Sequence, residues 1–144
     1  MSSVNSFSFQ SEDTEFNFLN KEGAVASWLG AVAAEEGKAV EAIDYIFCSD
    51  EFLLEINKKY LDHNFYTDII TFPLNNDPIE ANVFISIVRV TENAQLYKQS
   101  FEDELHRVIV HGLLHMIGYN DKNELDEKEM RKKEDYYLAK RNFS

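Results

Sequence analysis

The chain has 144 residues, of which 44% are hydrophobic and 13% aromatic, and its formal net charge is −12 at pH 7. This length and composition predict one ordinary globular domain over residues 1–144 and exclude an intrinsically disordered chain. The acidity argues against broad nucleic-acid binding because phosphates are repelled, and we interpret most of it as a solvated surface.

Three features bear on where the protein works. Cys48 is the single cysteine, which excludes an internal disulfide and fits a reducing compartment. The N-terminal sequence MSSVNSFSFQSED lacks the basic start and apolar core of a secretory signal. The longest mostly apolar run, residues 24–34, is too short to span a bilayer. We therefore expect a cytoplasmic protein without a membrane association.

Hydrophobic periodicity divides the chain into about four strands and five helices. The predicted strands cover residues 5–18 (as one or two strands), 40–48, 67–72 and 82–88. The predicted helices cover residues 21–36, 50–60, a short stretch that opens at Thr91, 101–117, and a charged stretch that begins at Asn123. The short sequence LNND between Pro73 and Pro78 is interpreted as a loop. The predicted fold class is α+β, with a mixed sheet of about four strands flanked by about five helices.

Capping residues mark several of these helix boundaries. Asn20 and Ser49 are typical N-caps for the first two helices, and Ser100 with Asp103 fits a capping box at the start of the fourth. Gly37 is a typical residue to end the first helix.

The stretch HGLLHMIGYND, residues 111–121, contains two histidines four residues apart on a predicted helix. At 3.6 residues per turn, His111 and His115 project from the same face. The rest of this helix is mostly apolar, which is typical of a buried helix, and buried imidazoles need polar partners. Gly118 ends the helix and allows the chain to return Asp121 to the two histidines.

The pattern H-x-x-x-H-x-x-G-x-x-D has the spacing of the metzincin signature, and it predicts a zinc-peptidase-like metal helix. Two histidines and one carboxylate leave a fourth zinc position open for water, as in catalytic sites. The alternative is a pair of core histidines that hydrogen-bond to carbonyl groups. We predict that His111, His115 and Asp121 bind one zinc ion.

Residues next to the two histidines limit the reactions that the predicted metal site could catalyse. Gly112 stands where a metzincin carries its general-base glutamate, which argues against peptide hydrolysis and would let a strand or substrate approach closely. Glu104 lies about two turns before His111 on the same face, either as a partner of an imidazole or as an ordinary exposed acid. His106, on roughly the opposite side from His115, is interpreted as a structural or surface residue.

HGLLHMIGYND resembles the signature of the YbeY family of bacterial endoribonucleases, which has H-G-x-L-H, then G-Y and a final metal ligand. Upstream, INKKYLDHNFYTDIITFP is similar to the family's segment of Asn, two variable residues and an aromatic, followed by Thr-Asp and a strand that ends in Phe-Pro. ANVFIS matches the position of the next strand. The resemblance covers roughly residues 50 to 122.

This resemblance implies a metal-dependent endoribonuclease of single-stranded RNA that acts in small-subunit ribosomal RNA maturation and ribosome quality control. It places the metal ligands, and with them the catalytic centre, on His111, His115 and Asp121. It implies a fold related to zinc peptidases. It also implies ribosomal RNA as a partner, together with a small-subunit ribosomal protein and an assembly GTPase.

Two departures from the family pattern affect the site. The family's usual third ligand is histidine, whereas Asp121 adds a negative charge and favours somewhat harder metals. Leu61 stands where the family has an arginine that is tied to RNA cleavage, and Ala81-Asn82 replaces a common Gly-Asp.

Other residues could contact the substrate in place of that arginine. Lys58, Lys59 and His63 carry or can carry positive charge nearby, and Asp68 with Thr67 either lines the cleft or caps a strand. Because the arginine is missing, two alternatives stay open: a non-catalytic metal-binding ribosome-assembly factor, and a metallopeptidase.

Overall fold

Four strands and five helices are present in the part of the chain that the structure, a computed structural model, describes: residues 6–16 and 21–143. The strands are β1 (Phe7–Ser11), β2 (Val40–Cys48), β3 (Ile69–Asn76) and β4 (Ile79–Ser86). The helices are α1 (Glu22–Glu35), α2 (Asp50–Leu61), α3 (Ile87–Leu96), α4 (Phe101–Ile117) and α5 (Glu124–Leu138).

The strands form one mixed sheet in the order β1-β2-β4-β3. β2 runs parallel to both β1 and β4, whereas β3 and β4 form an antiparallel hairpin. Parallel neighbours require a crossover connection, which α1 provides between β1 and β2. The predicted α+β class, with a four-stranded mixed sheet and five helices, is confirmed.

The two faces of the sheet bury different clusters because side chains alternate along each strand. The larger core contains Tyr45 of β2 and Val83 of β4, packed with residues of α1 and α4. The Tyr45 hydroxyl donates to the carbonyl oxygen of Ile109 at 3.1 Å, which fixes α4 to the sheet. On the opposite face, Leu53 of α2 packs on Ile70. α4 therefore lies over the sheet with one side buried and its opposite side available for a site.

The predicted N-caps fall where the helices begin. The side chains of Ser49, Ser100 and Asn123 each accept a hydrogen bond from the backbone N–H three residues later, at 3.1, 3.0 and 2.9 Å. Gly37 follows α1 with a φ of 74°, which suits a helix stop. Asn20 lies outside the described residues, and Lys21 occupies the N-cap position of α1 without a side-chain hydrogen bond.

The predicted boundary between β4 and α3 is wrong. β4 ends at Ser86, and α3 begins at Ile87 and not at Thr91. The Ser86 hydroxyl caps α3 by accepting from the N–H of Arg89 at 3.1 Å, and it donates to Asp50 Oδ1 at 2.8 Å. A contact with a distant part of the chain therefore sets this boundary.

Two other local predictions need correction. LNND is not a free loop, because β3 continues to Asn76 and the hairpin turns at Asp77–Pro78. Within the described part of residues 5–18 there is one strand, β1. Phe16 lies after it and packs edge-on against Phe47, and Phe18 lies outside the described residues.

Candidate metal centre

Three potential metal ligands converge at the C-terminal end of α4. His111 Nε2 and His115 Nε2 each lie 3.4 Å from Asp121 Oδ2. The two imidazole centroids are 4.5 Å apart. One ligand atom from each of the three residues lies within 4.8 Å of the other two. The residues that were predicted from their spacing are thus brought together.

A turn at Gly118 brings Asp121 back to the two histidines, as predicted. Gly118 has a φ of 128°, a conformation that side-chain-bearing residues rarely adopt. Its N–H donates to the carbonyl oxygens of Leu114 and His115, both at 3.1 Å, which closes the last turn of α4. The chain then reverses, and Asp121 faces the helix it has just left.

Two of the three spacings between the ligand atoms match those around a small tetrahedral cation. Two ligand atoms that each lie about 2.0–2.1 Å from one tetrahedral ion are roughly 3.4 Å apart. Both imidazole-to-carboxylate distances have this value. Two nitrogens and one oxygen supply three positions, and the partial exposure of Asp121 leaves access for a fourth ligand. The donor set therefore fits a bound metal ion with an open position.

Glu134 belongs to this centre and was missed by the sequence analysis. His111 Nδ1 lies 2.6 Å from Glu134 Oε2, and the carboxylate is buried. Arg107 Nη1 donates to the other oxygen of Glu134 at 2.8 Å. Because an ionised carboxylate can only accept, the His111 proton sits on Nδ1 and the lone pair of Nε2 faces the other ligands.

A signal for Glu134 exists in the sequence, although it is weak. Met130, Glu134 and Tyr137 follow one another at helical spacing on α5, and all three are buried. An acid on the buried stripe of an otherwise charged helix needs a polar partner. The sequence does not say which helix provides that partner.

Negative charge dominates the electrostatics of the centre. Burial disfavours the imidazolium form of His111, but the hydrogen bond with Glu134 and the charges of Glu134 and Asp121 outweigh it and raise the pKa of His111. Burial also raises the pKa of Asp68, which the nearby His111 lowers only in part. Such a surrounding attracts a cation.

A cavity of about 260 Å³ opens beside His111 and Asp121. The other polar or aromatic residues that line it come from several elements: Asp68, Asn93, Tyr97, Glu104, Arg107, Arg131 and Glu134. A wider groove of about 930 Å³ runs along α5 and also reaches His111 and Asp121. The space beside the ligands can therefore accept an extended molecule.

The residues predicted to contact substrate divide into two groups. Asp68 lines the cavity beside His111. Lys58, Lys59 and His63 are exposed at the end of α2 and just after it, and, within the described chain, none of them lines either cavity that reaches His111.

Glu104 is buried and lines the same cavity, so the interpretation as an exposed acid is wrong. Its predicted place as the partner of an imidazole is taken by Glu134 at His111. Burial raises the pKa of Glu104, whereas the neighbouring Arg107 opposes this shift.

Comparison with models of protein families identifies the family of the chain. The model of the family described as Endoribonuclease YbeY matches residues 6–142. The chain belongs to the endoribonuclease YbeY family. The resemblance found in HGLLHMIGYND and its flanks is thereby confirmed.

Curated relatives with that name match nearly the whole chain. One from Cytophaga hutchinsonii is 47% identical over 137 residues, which cover 94% of this chain and 95% of the relative. One from Flavobacterium psychrophilum is 47% identical over 121 residues, which cover 83% of this chain and 86% of the relative. The solution structure of TM1509 from Thermotoga maritima aligns with a TM-score of 0.65 at 26% identity, covering 92% of this chain and 86% of that one.

Gly112 is a point of close approach between α4 and the sheet. A Cβ atom built on it would lie 3.1 Å from Ile69 Cδ1 and 3.3 Å from Val83 Cγ1. The predicted approach of a strand is confirmed. Residue 112 therefore points at the sheet, where a glutamate side chain has no room.

His106 is a structural residue on another side of α4. It is buried between Trp28 and Phe143, whose ring centroids lie 5.9 and 5.2 Å away. Arg141 Nη1 donates to its Nδ1 at 2.7 Å. Burial, reinforced by the charge of Arg141, lowers the pKa of His106 to about 4. The structural interpretation is correct, and the surface alternative is wrong.

The sequence predicts no membrane association, and the described helices can be compared with the requirements of a membrane span. None of them combines the length and the apolar character that crossing a membrane requires.

Proposed function

We propose that the chain is a zinc-dependent endoribonuclease, a hydrolase that cleaves single-stranded RNA. The observation that carries this proposal is the convergence of His111, His115 and Asp121 beside an open cavity. Membership of a family whose relatives are named endoribonucleases supports RNA as the substrate class. The proposed unit is one metal-dependent hydrolase domain over residues 1–144.

In the proposed mechanism, a bound zinc ion would supply Lewis acidity toward a phosphoryl oxygen and would activate a water molecule. His111, His115 and Asp121 would hold the ion. Glu134 keeps the proton of His111 on Nδ1, so that Nε2 is free to ligate. Asp68 lines the cavity, and this position supports a proposed hydrogen bond to a ribose hydroxyl or a water molecule.

Contacts farther along the RNA strand are proposed for Lys58, Lys59 and His63. All three are exposed, and they lie within a few residues of the segment that leads to Asp68. The positive charge of the two lysines would offset part of the repulsion between phosphates and a chain of net charge −12.

The proposed biological setting is the cytoplasm, in maturation of small-subunit ribosomal RNA and in ribosome quality control. The proposed partners are ribosomal RNA, a small-subunit ribosomal protein and an assembly GTPase. This part of the proposal rests on family membership and on the motif resemblance together.

The test is single-turnover cleavage of a single-stranded RNA by highly purified protein, with and without a chelator, and after zinc is added back. We expect cleavage by the wild type, loss with chelator and in His111→Ala, and recovery with zinc in the wild type only. Lys38→Gln, an exposed change after α1, is the control that should cleave normally. The proposal fails if His111→Ala retains both metal and cleavage.

Metal content gives a second and independent measurement. We expect wild-type protein purified without chelator to contain about one metal ion per chain and Asp121→Ala to contain much less. Asp121 is the ligand to test because it replaces the histidine that is usual in the family pattern.

A non-catalytic metal-binding assembly factor is the second candidate, and Leu61 is the observation that favours it. This residue ends α2 with its aliphatic side chain partly exposed, at the place of the arginine tied to cleavage. This candidate is favoured if the pure metal-bound protein shows no RNA cleavage that a chelator abolishes. A metallopeptidase has less support because Gly112 faces the sheet, and a peptide substrate screen tests it.

A further inference from the structure

Tyr97 is an aromatic wall of the metal cavity that the mechanism above does not use. It follows the last residue of α3 and lines the same cavity as His111 and Asp121. The residue is 56% exposed, and among the described residues its side chain has no ring contact and no hydrogen bond. An exposed, unpartnered ring beside a reaction centre is available to a ligand.

The position of Tyr97 along the cavity follows from α3. Asn93 and Tyr97 are four residues apart and therefore share one side of the helix. Asn93 Nδ2 donates to Asp68 Oδ2 at 3.5 Å, and both of these residues line the cavity. Tyr97 thus continues the wall that begins at Asp68.

Arg131 is a second residue that lines the cavity and has no role in the proposed mechanism. It differs from the other arginines in its ion pairing. It is exposed on α5 and lines both cavities that reach His111 and Asp121. Within the described chain its guanidinium makes no ion pair and no hydrogen bond. The other three arginines are paired with carboxylates: Arg89 with Asp50, Arg107 with Glu134, and Arg141 with Asp103. Arg131 therefore lines this cavity without a paired carboxylate among the described residues. Its charge acts on the buried Glu104 across the cavity, and its guanidinium hydrogen-bond donors are available to an anion.

We propose that Tyr97 and Arg131 form a nucleotide-binding subsite beside the metal centre, in which Arg131 binds a phosphate of the RNA strand and Tyr97 stacks on an unpaired base. This inference rests on the proposed function, since it takes RNA as the ligand. A guanidinium matches phosphate geometry with two parallel hydrogen bonds. A phenol ring stacks on any base without sequence preference.

The subsite also explains how an acidic chain without the usual arginine can bind RNA. Leu61 supplies no charge, and acids such as Glu104 and Glu134 surround the cavity. Arg131 brings a cation to the same cavity from α5, on a different element from the α2 segment that carries Leu61. One cation and one ring at the cavity select an unpaired nucleotide over a base-paired one, because only unpaired bases can stack on a side chain.

The test measures binding of a short labelled 2′-O-methyl RNA to zinc-loaded protein by fluorescence anisotropy at several salt concentrations. A denaturing gel checks that the strand stays intact, and cleavage of unmodified RNA is measured in parallel. We expect Arg131→Gln to weaken binding roughly 10-fold. The slope of log K against log salt should become about 0.7 less steep, because one phosphate contact is lost. Tyr97→Ala should weaken binding by roughly 5- to 100-fold with an unchanged slope.

Conservative variants and neighbours provide the controls. Arg131→Lys should keep the wild-type salt slope, and Tyr97→Phe should keep the wild-type affinity, which a loss of folding would not allow. Lys38→Gln matches the change in charge and Leu96→Ala is an exposed neighbour on α3, so that both should bind as the wild type does.

The possible outcomes separate this inference from the function on which it rests. If the wild type cleaves RNA while Arg131→Gln keeps its salt slope or Tyr97→Ala keeps its affinity, the subsite is overturned and the proposed function stands. If the wild type neither binds nor cleaves RNA, the proposed function fails and the subsite fails with it. If the wild type binds RNA without cleaving it, the subsite stands when Arg131→Gln has the shallower salt slope and Tyr97→Ala the weaker affinity. The subsite is overturned when either value equals that of the wild type.

Discussion

His106 and His111 lie on the same helix, five residues apart, and their surroundings are opposite. His106 is enclosed by two aromatic rings and the guanidinium of Arg141. His111 faces the carboxylates of Glu134 and Asp121. Accordingly, the pKa of His106 is lowered to about 4, whereas that of His111 is raised above its ordinary value.

The partners also assign opposite tautomers to the two rings. A guanidinium can only donate, so the Nδ1 of His106 must accept and its proton sits on Nε2. The carboxylate of Glu134 can only accept, so His111 carries its proton on Nδ1 and directs the lone pair of Nε2 at the ligand cluster. In the described chain the Nε2 of His106 has no partner, which fits a ring kept neutral by its surroundings. The same residue type on one helix is thus a core residue in one place and a candidate metal ligand in the other.

Removal of the ligand histidine should have the largest effect. We expect His111→Ala to weaken zinc binding about 10²- to 10⁴-fold, because one of three protein ligands is lost from a site whose total affinity is large. His106→Phe should bind zinc as the wild type does. Competition with a chromophoric chelator at fixed pH measures both affinities. Equal zinc affinities for the two variants would show that His111 contributes no more to zinc binding than His106 does, which would contradict the prediction.

Neutralising Glu134 should have a smaller effect through His111. Glu134→Gln keeps the size of the side chain but loses the charge that orients the imidazole, and we expect a roughly 10- to 100-fold loss of zinc affinity. The pKa of His111, followed by nuclear magnetic resonance in metal-free protein, should fall because the hydrogen bond and charge that raise it are weakened.

Asp135→Asn is the matched control for this prediction. Asp135 is the other carboxylate partner of Arg107, at 2.7 Å from Nη2, and it does not contact His111. If both variants lose affinity equally, Glu134 acts through the position of α5 and not through the imidazole.

The sequence predicts those parts of the fold that depend on local patterns. β2 and α4 match their predicted ranges because their signals are local. β2 is a mostly apolar run, and α4 has a serine cap at its start and a glycine at its end. The β4–α3 boundary could not be predicted in the same way, since four of the six residues in ISIVRV (85–90) are β-branched and suit a strand. Asp50 decides it by accepting hydrogen bonds from Ser86 and Arg89, 36 and 39 residues away.

The same limit applies to the candidate site. His111, His115 and Asp121 are spaced within one helix end and one turn, and the spacing alone predicts their convergence. Glu134 reaches His111 only because α5 packs beside α4, 23 residues later in the chain. The angle between two helices depends on the whole core, and no local pattern encodes it.

The smallest expected effect is the contribution of His106 to the pH dependence of the unfolding free energy. Its pKa is about 6.5 in the unfolded chain and about 4 in the folded one. On acidification the unfolded chain therefore takes up the proton first. The contribution of neutral His106 to the unfolding free energy is fully present above pH 6.5 and is lost as the pH falls towards 4. We expect the difference in unfolding free energy between the wild type and His106→Phe to change by roughly 1–2 kcal/mol between pH 7.5 and pH 5, with the variant less sensitive to acid.

Urea unfolding in the presence of a chelator, followed by circular dichroism at each pH, measures this difference without a contribution from bound metal. His63→Phe is the control, because it makes the same substitution at an exposed histidine outside the core. Parallel pH profiles for the wild type and His106→Phe would mean that the folded chain protonates His106 as readily as the unfolded chain does. In that case the contrast between the two histidines would come from the carboxylates around His111 alone, and not from the enclosure of His106 by Trp28 and Arg141.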